Sequence, residues 1–187
     1  PTERDPVGAR VVSQLTSLGW RPQGTTEGFA LGQPQYVFQV PLAGRTEADV
    51  LAGMNQLWRR NIKKAAKEGV EVTTSSGRGD EEGDLKLFHD LYVHTAERDH
   101  FTPRGLPYFR VMADALGGED PDRFRLYLGR HEGDLVAATI MVRVGAHAWY
   151  SYGASSTEKR EVRGSNAIQW AMMRAAIAAG ADVYDLR

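Results

Sequence analysis

Residues 123–155 restrict the possible folds more than any other part of this chain. Three runs of strand composition, RFRLYLG, DLVAATIMVRV and AWYSYGA, follow one another with only the short segments RHEGD and GAH joining them. Parallel neighbours need a crossover of about a dozen residues or more, whereas short glycine-containing joins make hairpins. A meander of antiparallel strands is therefore predicted, and every other element must pack beside or against it. The third run continues into YSYGASS, with Tyr150 and Tyr152 two positions apart. Regular alternation points both to one face, with Trp149 and Ser151 on the other. That face is either core, since strands favour tyrosine, or one wall of a site that needs hydroxyls at a fixed height.

Helical patterns surround the meander. Val7, Val11, Leu15 and Leu18 recur at helical spacing, with Asp5 and Pro6 as start signals and Gly19 as a stop. QYVFQVPL reads as a strand after a Gly/Thr/Pro-rich loop. Thr46 with Asp49 resembles a capping box, and Leu51, Met54, Leu57 or Trp58, Ile62 and Ala65 carry an apolar stripe to Gly69, broken near Gly53. VEVTTSS is a strand. DEEGDLKLFHDLYVHTAERD is a helix with acids in its first turn and Leu85, Phe88, Tyr92 and Thr95 as its buried face. YFRVMADALGG is a shorter helix ended by glycine, and SNAIQWAMMRAAIAAG a longer one, capped by Ser165, with Ile168, Met172, Ala175 and Ala179 on one face. DVYDL is a final strand. The order predicts an α/β protein with a mixed sheet.

Composition narrows the chemistry. At 187 residues one core is the default. The net charge of −1 gives no global attraction to nucleic acid or anionic membrane, so binding of that kind requires a local patch. There is no cysteine, which excludes thiol catalysis, disulfides and cysteine-ligated metal, and a cytoplasmic location fits that usage. No run approaches the ~20 apolar residues of a membrane span, and PTERDPVGAR lacks the apolar stretch of a signal peptide. The chain starts without methionine and stops after a strand, which leads us to expect a piece of a longer protein.

Several motifs fail on inspection. GRGDEEG follows a strand and precedes a helix, but its third glycine is one place late and its acids at positions 80–82 would repel a pyrophosphate. GASST lacks the second glycine of a nucleophile elbow. No two of the histidines, at 89, 94, 100, 131 and 147, have the spacing that puts two imidazoles on one helical face, so no metal is expected. Acetyl-CoA enzymes of the GNAT fold place a pyrophosphate loop ahead of a helix like the one beginning at Ser165. Here Glu161 stands where that loop carries Arg or Gln.

What remains is a basic stripe, Arg59, Arg60, Lys63, Lys64 and Lys67 in LWRRNIKKAAKEG, followed in order by FTPRGLPYF, YSYGASS and NAIQWAMMRAAIAAGADVYDL. Together these resemble the Fem family of peptidoglycan aminoacyltransferases (FemA, FemB, FemX). The resemblance covers residues 45–187 well, and residues 1–44 only as the segment that closes a preceding module. It implies a GNAT-like acyltransferase fold, with 45–187 as the second of two such modules and 1–44 as the tail of the first and a linker. It implies transfer of glycine or alanine from aminoacyl-tRNA to the stem-peptide amine of lipid II or a UDP-MurNAc-peptide, with no cofactor beyond that co-substrate, no DNA partner, and peripheral association with the inner face of the membrane.

The family's Arg-x-x-x-Tyr element, which helps hold the acceptor's uridine diphosphate end, matches Arg104 and Tyr108. Its paired strand tyrosines match Tyr150 and Tyr152. Arg60, Lys63, Lys64 and Lys67 are then candidate phosphate or tRNA contacts, against the plainer reading of a solvated helix face. An arginine presents a planar fork that pairs with phosphate through two bonds, and Pro103 and Pro107 stiffen the loop around it. Alternatively Arg104 pairs with Asp99. No catalytic residue is assigned, because the family's lysine lies downstream of the last strand, and this piece alone is expected to be inactive. The rival readings are a GNAT-fold N-acyltransferase that uses acyl-CoA on a small amine, and a non-catalytic RNA-binding module.

Overall fold

The computed structural model describes residues 6–21, 37–78 and 83–186. The chain divides into two compact units, Pro1–Tyr36 and Val37–Arg187. In the first, α1 (Pro6–Ser17) is the helix predicted from the valine and leucine spacing, and Gly19 ends it at φ +87°.

The second unit is built on a six-stranded sheet in the order β1-β6-β5-β4-β3-β2. Its strands are β1 (Gln39–Pro41), β2 (Glu71–Ser75), β3 (Phe124–His131), β4 (Asp134–Val144), β5 (His147–Ser155) and β6 (Val183–Asp185). β3, β4 and β5 form the predicted meander, and all pairs are antiparallel except β5 with β6. Because β1 pairs with β6, residues 37–44 belong to this unit, ahead of the boundary at 45 drawn from the sequence.

Helices cover both faces. α2 (Glu47–Gly53) and α3 (Gln56–Lys67) accompany α6 (Gly164–Ala178), which packs on one face with Met141, Ala148, Ile168, Met172, Met173, Ala176 and Tyr184 in its core. α4 (Asp84–Asp99) and α5 (Leu106–Glu119) cover the other face around Leu85, Phe88, Tyr92, Phe109, Phe124, Leu126 and Ile140. Among the described residues no helix is long and apolar enough to cross a membrane.

Local chemistry explains most boundaries. The capping box is present: the Asp49 N–H donates to Thr46 Oγ1 at 3.2 Å and the Thr46 N–H to Asp49 Oδ2 at 2.9 Å. The break after Gly53 is real, and Asn55 restarts the helix by accepting from the Trp58 N–H at 2.9 Å. Three expectations need correction. α5 does not stop at its glycines, because Arg78 donates to the Gly117 carbonyl at 3.0 Å and holds the last turn in place. Ser165 does not cap α6; Arg163, at φ +64°, precedes a helix that begins at Gly164. A Cβ at Gly164 would lie 2.6 Å from Val136 Cγ2, so the missing side chain lets the helix start directly on β4. The buried stripe of α6 is also rotated from the predicted one, since Gln169, Met173 and Ala176 are inside while Ala179 is exposed.

Two irregularities shape the sheet. Gly129 faces Ala137 while Arg130 faces Leu135, which leaves Val136 as an extra residue in β4. Ile140 faces Tyr152 while Met141 faces Tyr150, which leaves Ser151 as an extra residue in β5. The pairing of β5 with β6 covers only His147, Ala148 and Trp149. Beyond that point β5 has no strand neighbour on that side among the described residues.

Candidate functional site

His100, at φ +60°, ends α4, and the chain turns back into α5 through Phe101–Gly105. His89 Nε2 lies 3.1 Å from the Arg104 carbonyl oxygen and fastens this turn to α4. Four residues on, in the first turn of α5, the Tyr108 ring lies beneath the Arg104 guanidinium, 5.3 Å from carbon to centroid. The Tyr108 hydroxyl is 2.9 Å from that of Tyr152 on β5. Arg104, Tyr108 and Tyr152 thus form one continuous contact chain on the α4/α5 side of the sheet.

Aromatic packing holds that chain rigid. Phe109 is fully buried and meets Phe88, Tyr92, Tyr108 and Tyr152 edge-on at centroid distances of 5.0–5.4 Å. Burial, reinforced by the hydrogen bond shared with Tyr108, pushes the Tyr152 hydroxyl up to about 12. Burial also raises Tyr92, against the opposing pull of the Arg104 backbone and charge. At neutral pH both hydroxyls keep their protons, so they act as hydrogen-bonding groups and not as bases. Arg104 does not pair with Asp99. That carboxylate is taken by Arg98, with Nε–Oδ1 at 2.7 Å and the second nitrogen–oxygen contact at 2.8 Å. The exposed Arg104 guanidinium makes no ion pair among the described residues, and its charge is presented to solvent over an aromatic base.

The expectation that Tyr150 and Tyr152 share a face is wrong. The extra residue Ser151 reverses the alternation, so Tyr150 packs with Met141 on the α6 side while Tyr152 packs with Ile140 on the α4/α5 side. Tyr150 instead lines a cavity of about 200 Å³ at the unpaired part of β5. The cavity runs from the end of α4 (Thr95, Arg98, Asp99, with Phe101 after it) past Thr139, Gly153 and Ser155 to the start of α6 (Ser165, Gln169). Burial raises the Tyr150 hydroxyl above the ordinary tyrosine value. The free edge of β5 is tied to α4 at Ser155, whose carbonyl accepts from Arg98 at 2.9 Å and whose N–H donates to Thr95 Oγ1 at 3.0 Å. Phe101 and Tyr92, 5.4 Å apart, join this cavity to the Arg104 chain.

The basic stripe lies elsewhere. Arg60, Lys63 and Lys67 are exposed and Lys64 half-buried on α3, on the α6 side of the sheet. α3 leads into β2, whose first residue, Glu71, faces Arg130 at the end of β3. The stripe therefore ends, on a helix packed beside α6, at the same end of the sheet as the start of α6. Asp185 is engaged at the end of β6: it accepts from Gln39 Nε2 at 3.1 Å and lies 3.5 Å from His147 Nε2. Gln169, Thr139 and Arg98 were missed. Gln169 had a signal, a polar residue inside the apolar run NAIQWAMM.

A mixed six-stranded sheet with one parallel pair, covered by helices on both faces and open along part of one strand, is a GNAT-like acyltransferase fold. The FemAB family model matches residues 3–121, and the chain belongs to that family. It is 31% identical to the UDP-N-acetylmuramoylpentapeptide-lysine N(6)-alanyltransferase of Weissella viridescens over 68% of this chain and 36% of that protein. It is 23% identical to the lipid II:glycine glycyltransferase of Staphylococcus epidermidis over 95% of this chain and 56% of that protein. The chain thus spans little more than half the length of these relatives, or less. Among solved structures, FemX superposes with a TM-score of 0.80 at 23% identity, over 96% of this chain and 60% of that one. The C-terminal domain of a putative lysylphosphatidylglycerol synthetase from Agrobacterium fabrum superposes at 0.57, with 14% identity over 80% of this chain and 45% of that one.

Proposed function

We propose that this chain is the second GNAT-like module, with the tail of a first, of an enzyme that transfers glycine or alanine from aminoacyl-tRNA to the stem-peptide amine of a peptidoglycan precursor. The observation that carries this reading is the Arg104–Tyr108–Tyr152 chain: a solvent-facing guanidinium held over one tyrosine, whose hydroxyl is held by another. Such a fork suits the diphosphate of a UDP-MurNAc-peptide or lipid II, with the tyrosines beside it for the sugar or base. The names of the relatives support the same acceptor class. Arg60, Lys63, Lys64 and Lys67 are proposed as contacts for the tRNA phosphates, and the acceptor's lipid would bring the enzyme to the inner face of the membrane.

The chemistry asks little of covalent catalysis. The acceptor nitrogen attacks the ester carbonyl carbon, the C–N bond forms as the ester C–O bond breaks, and the ribose oxygen leaves with the proton that the amine gives up. Orientation of the two substrates and stabilisation of the tetrahedral oxyanion then supply the rate. Calorimetry with UDP-MurNAc-pentapeptide tests the reading, with binding expected and abolished by an excess of UDP. Micromolar binding of acetyl-CoA with no response to the UDP-peptide would replace it with the acyl-CoA reading.

A further inference from the structure

The cavity beside β5 contains two polar side chains that the fold buries without using up. Thr139 is 4% exposed and Gln169 is 8% exposed, and both line the cavity. Their spare polar atoms are not sealed in the core but open to the cavity, where water or a ligand satisfies them. The Thr139 side chain makes no hydrogen bond among the described residues. Gln169 makes one: Tyr184, on β6, donates from its hydroxyl to Gln169 Oε1 at 2.6 Å.

The direction of that bond fixes the direction of the amide. Tyr184 is fully buried, and its hydroxyl donates to the Gln169 carbonyl oxygen away from competing solvent. Gln169 must then turn its carbonyl to Tyr184, which leaves the two protons of its NH2 group for the cavity. Tyr150 reaches the same space because Gly153 has no side chain: a Cβ there would lie 1.8 Å from the Tyr150 hydroxyl oxygen. The cavity walls therefore offer hydrogen-bond donors from Gln169, Thr139 and Tyr150. At about 200 Å³ the space suits a small acyl group and not a large one.

We propose that the Gln169 side-chain amide binds the carbonyl oxygen of a small acyl donor in this cavity, with Tyr184 as the positioning residue that holds the amide in orientation. Identifying the donor as an aminoacyl ester rests on the function proposed above. The assignment of Gln169 and Tyr184 rests on the cavity alone.

The test uses the full chain and a stable donor probe, alanine amide-linked to 3′-amino-3′-deoxyadenosine. In a nuclear magnetic resonance titration, the Gln169 carboxamide protons should shift as the probe is added. Gln169→Leu should weaken probe binding about tenfold, while UDP binding at Arg104 stays unchanged. Tyr184→Phe should weaken it severalfold and give the Gln169 carboxamide two sets of signals, one for each orientation, a signature that mere loss of packing would not produce. An unmoved Gln169 carboxamide in the unsubstituted chain overturns the proposal even where the variants fold poorly. Unchanged probe affinity in a folded Gln169→Leu chain also overturns it, as does a chain that binds UDP-peptide but no probe. Failure to bind either the UDP-peptide or UDP strikes the proposed function instead.

Discussion

The two faces of the sheet meet at β5, and they are built on different principles. On the α4/α5 side, rings pack edge to face around Phe109, and the polar groups that emerge, Arg104, Tyr108 and Tyr152, contact one another in sequence. On the α6 side, methionine and alanine pack closely, and Thr139 and Gln169 are buried with polar atoms to spare. The first face organises its polar groups among themselves, whereas the second leaves them for a visitor. The extra residue of β5, Ser151, sits between the two tyrosines, one of which serves each face.

That contrast breaks most easily at Phe109. Phe109→Ala removes the ring that four aromatic neighbours touch and should cost about 3–5 kcal/mol of unfolding free energy by chemical denaturation. It should also weaken acceptor binding by loosening Tyr108 and Tyr152. Met172→Ala, on the other face, should cost about 2–5 kcal/mol and leave acceptor affinity alone. Equal losses of acceptor affinity in the two variants would show that the faces are not separable.

Arg104→Ala should weaken binding of a UDP-peptide by about 1.5–3 kcal/mol in calorimetry, with the melting temperature nearly unchanged, because the guanidinium is exposed. Undiminished affinity would remove the arginine from the site. Tyr152→Phe is a smaller probe, with about 0.5–1.5 kcal/mol expected from the lost bond to Tyr108. A double-mutant cycle with Tyr108→Phe should place that energy in the pair.

Alkaline pH separates the two faces at lower amplitude. Tyr152 on one face and Tyr127 on the other are both pushed up to about 12 from the ordinary value of 10. A raised folded value means that the protonated form is the one the fold favours. The stability is therefore complete below pH 10 and is lost as pH rises toward about 12. Tyr127 is the sharper case, since its hydroxyl is buried with no partner among the described residues. Tyr127→Phe should be neutral or slightly stabilising at pH 7 and should flatten the alkaline loss. The smallest effect is expected from deletion of Ser151. Tyr150 would still face Met141 and Tyr152 would still face Ile140, so the chain should fold, with less local twist and a reshaped cavity. A molten product would show that the extra residue is needed for the sheet itself.

Much of this architecture could be read from local signals. The capping pair Thr46/Asp49, the stop at Gly53 and the glycine-containing hairpins act within a few residues, and each appears in the structure where the sequence placed it. Arg104 and Tyr108 were singled out through the resemblance to the Fem family's Arg-x-x-x-Tyr element, and the short loop into α5 brings the two into contact. The misplaced features depend on distant partners. Nothing in YSYGASS marks Ser151 as extra, because the bulge exists only relative to β4. Gly164, and not Ser165, begins α6 because Val136 occupies the space above it. The free amide of Gln169 depends on Tyr184, which lies on another element.

The pairing of β1 with β6 has a consequence for how this unit is made. Gln39 faces Asp185, so one edge of the sheet joins residues 146 positions apart. Contacts of such separation form late, because a long loop must close before they repay its entropy. Tyr184, which orients Gln169, sits on that last strand. During synthesis the meander and α4 can assemble early, but the cavity beside β5 acquires its oriented amide only once residue 185 has cleared the ribosome.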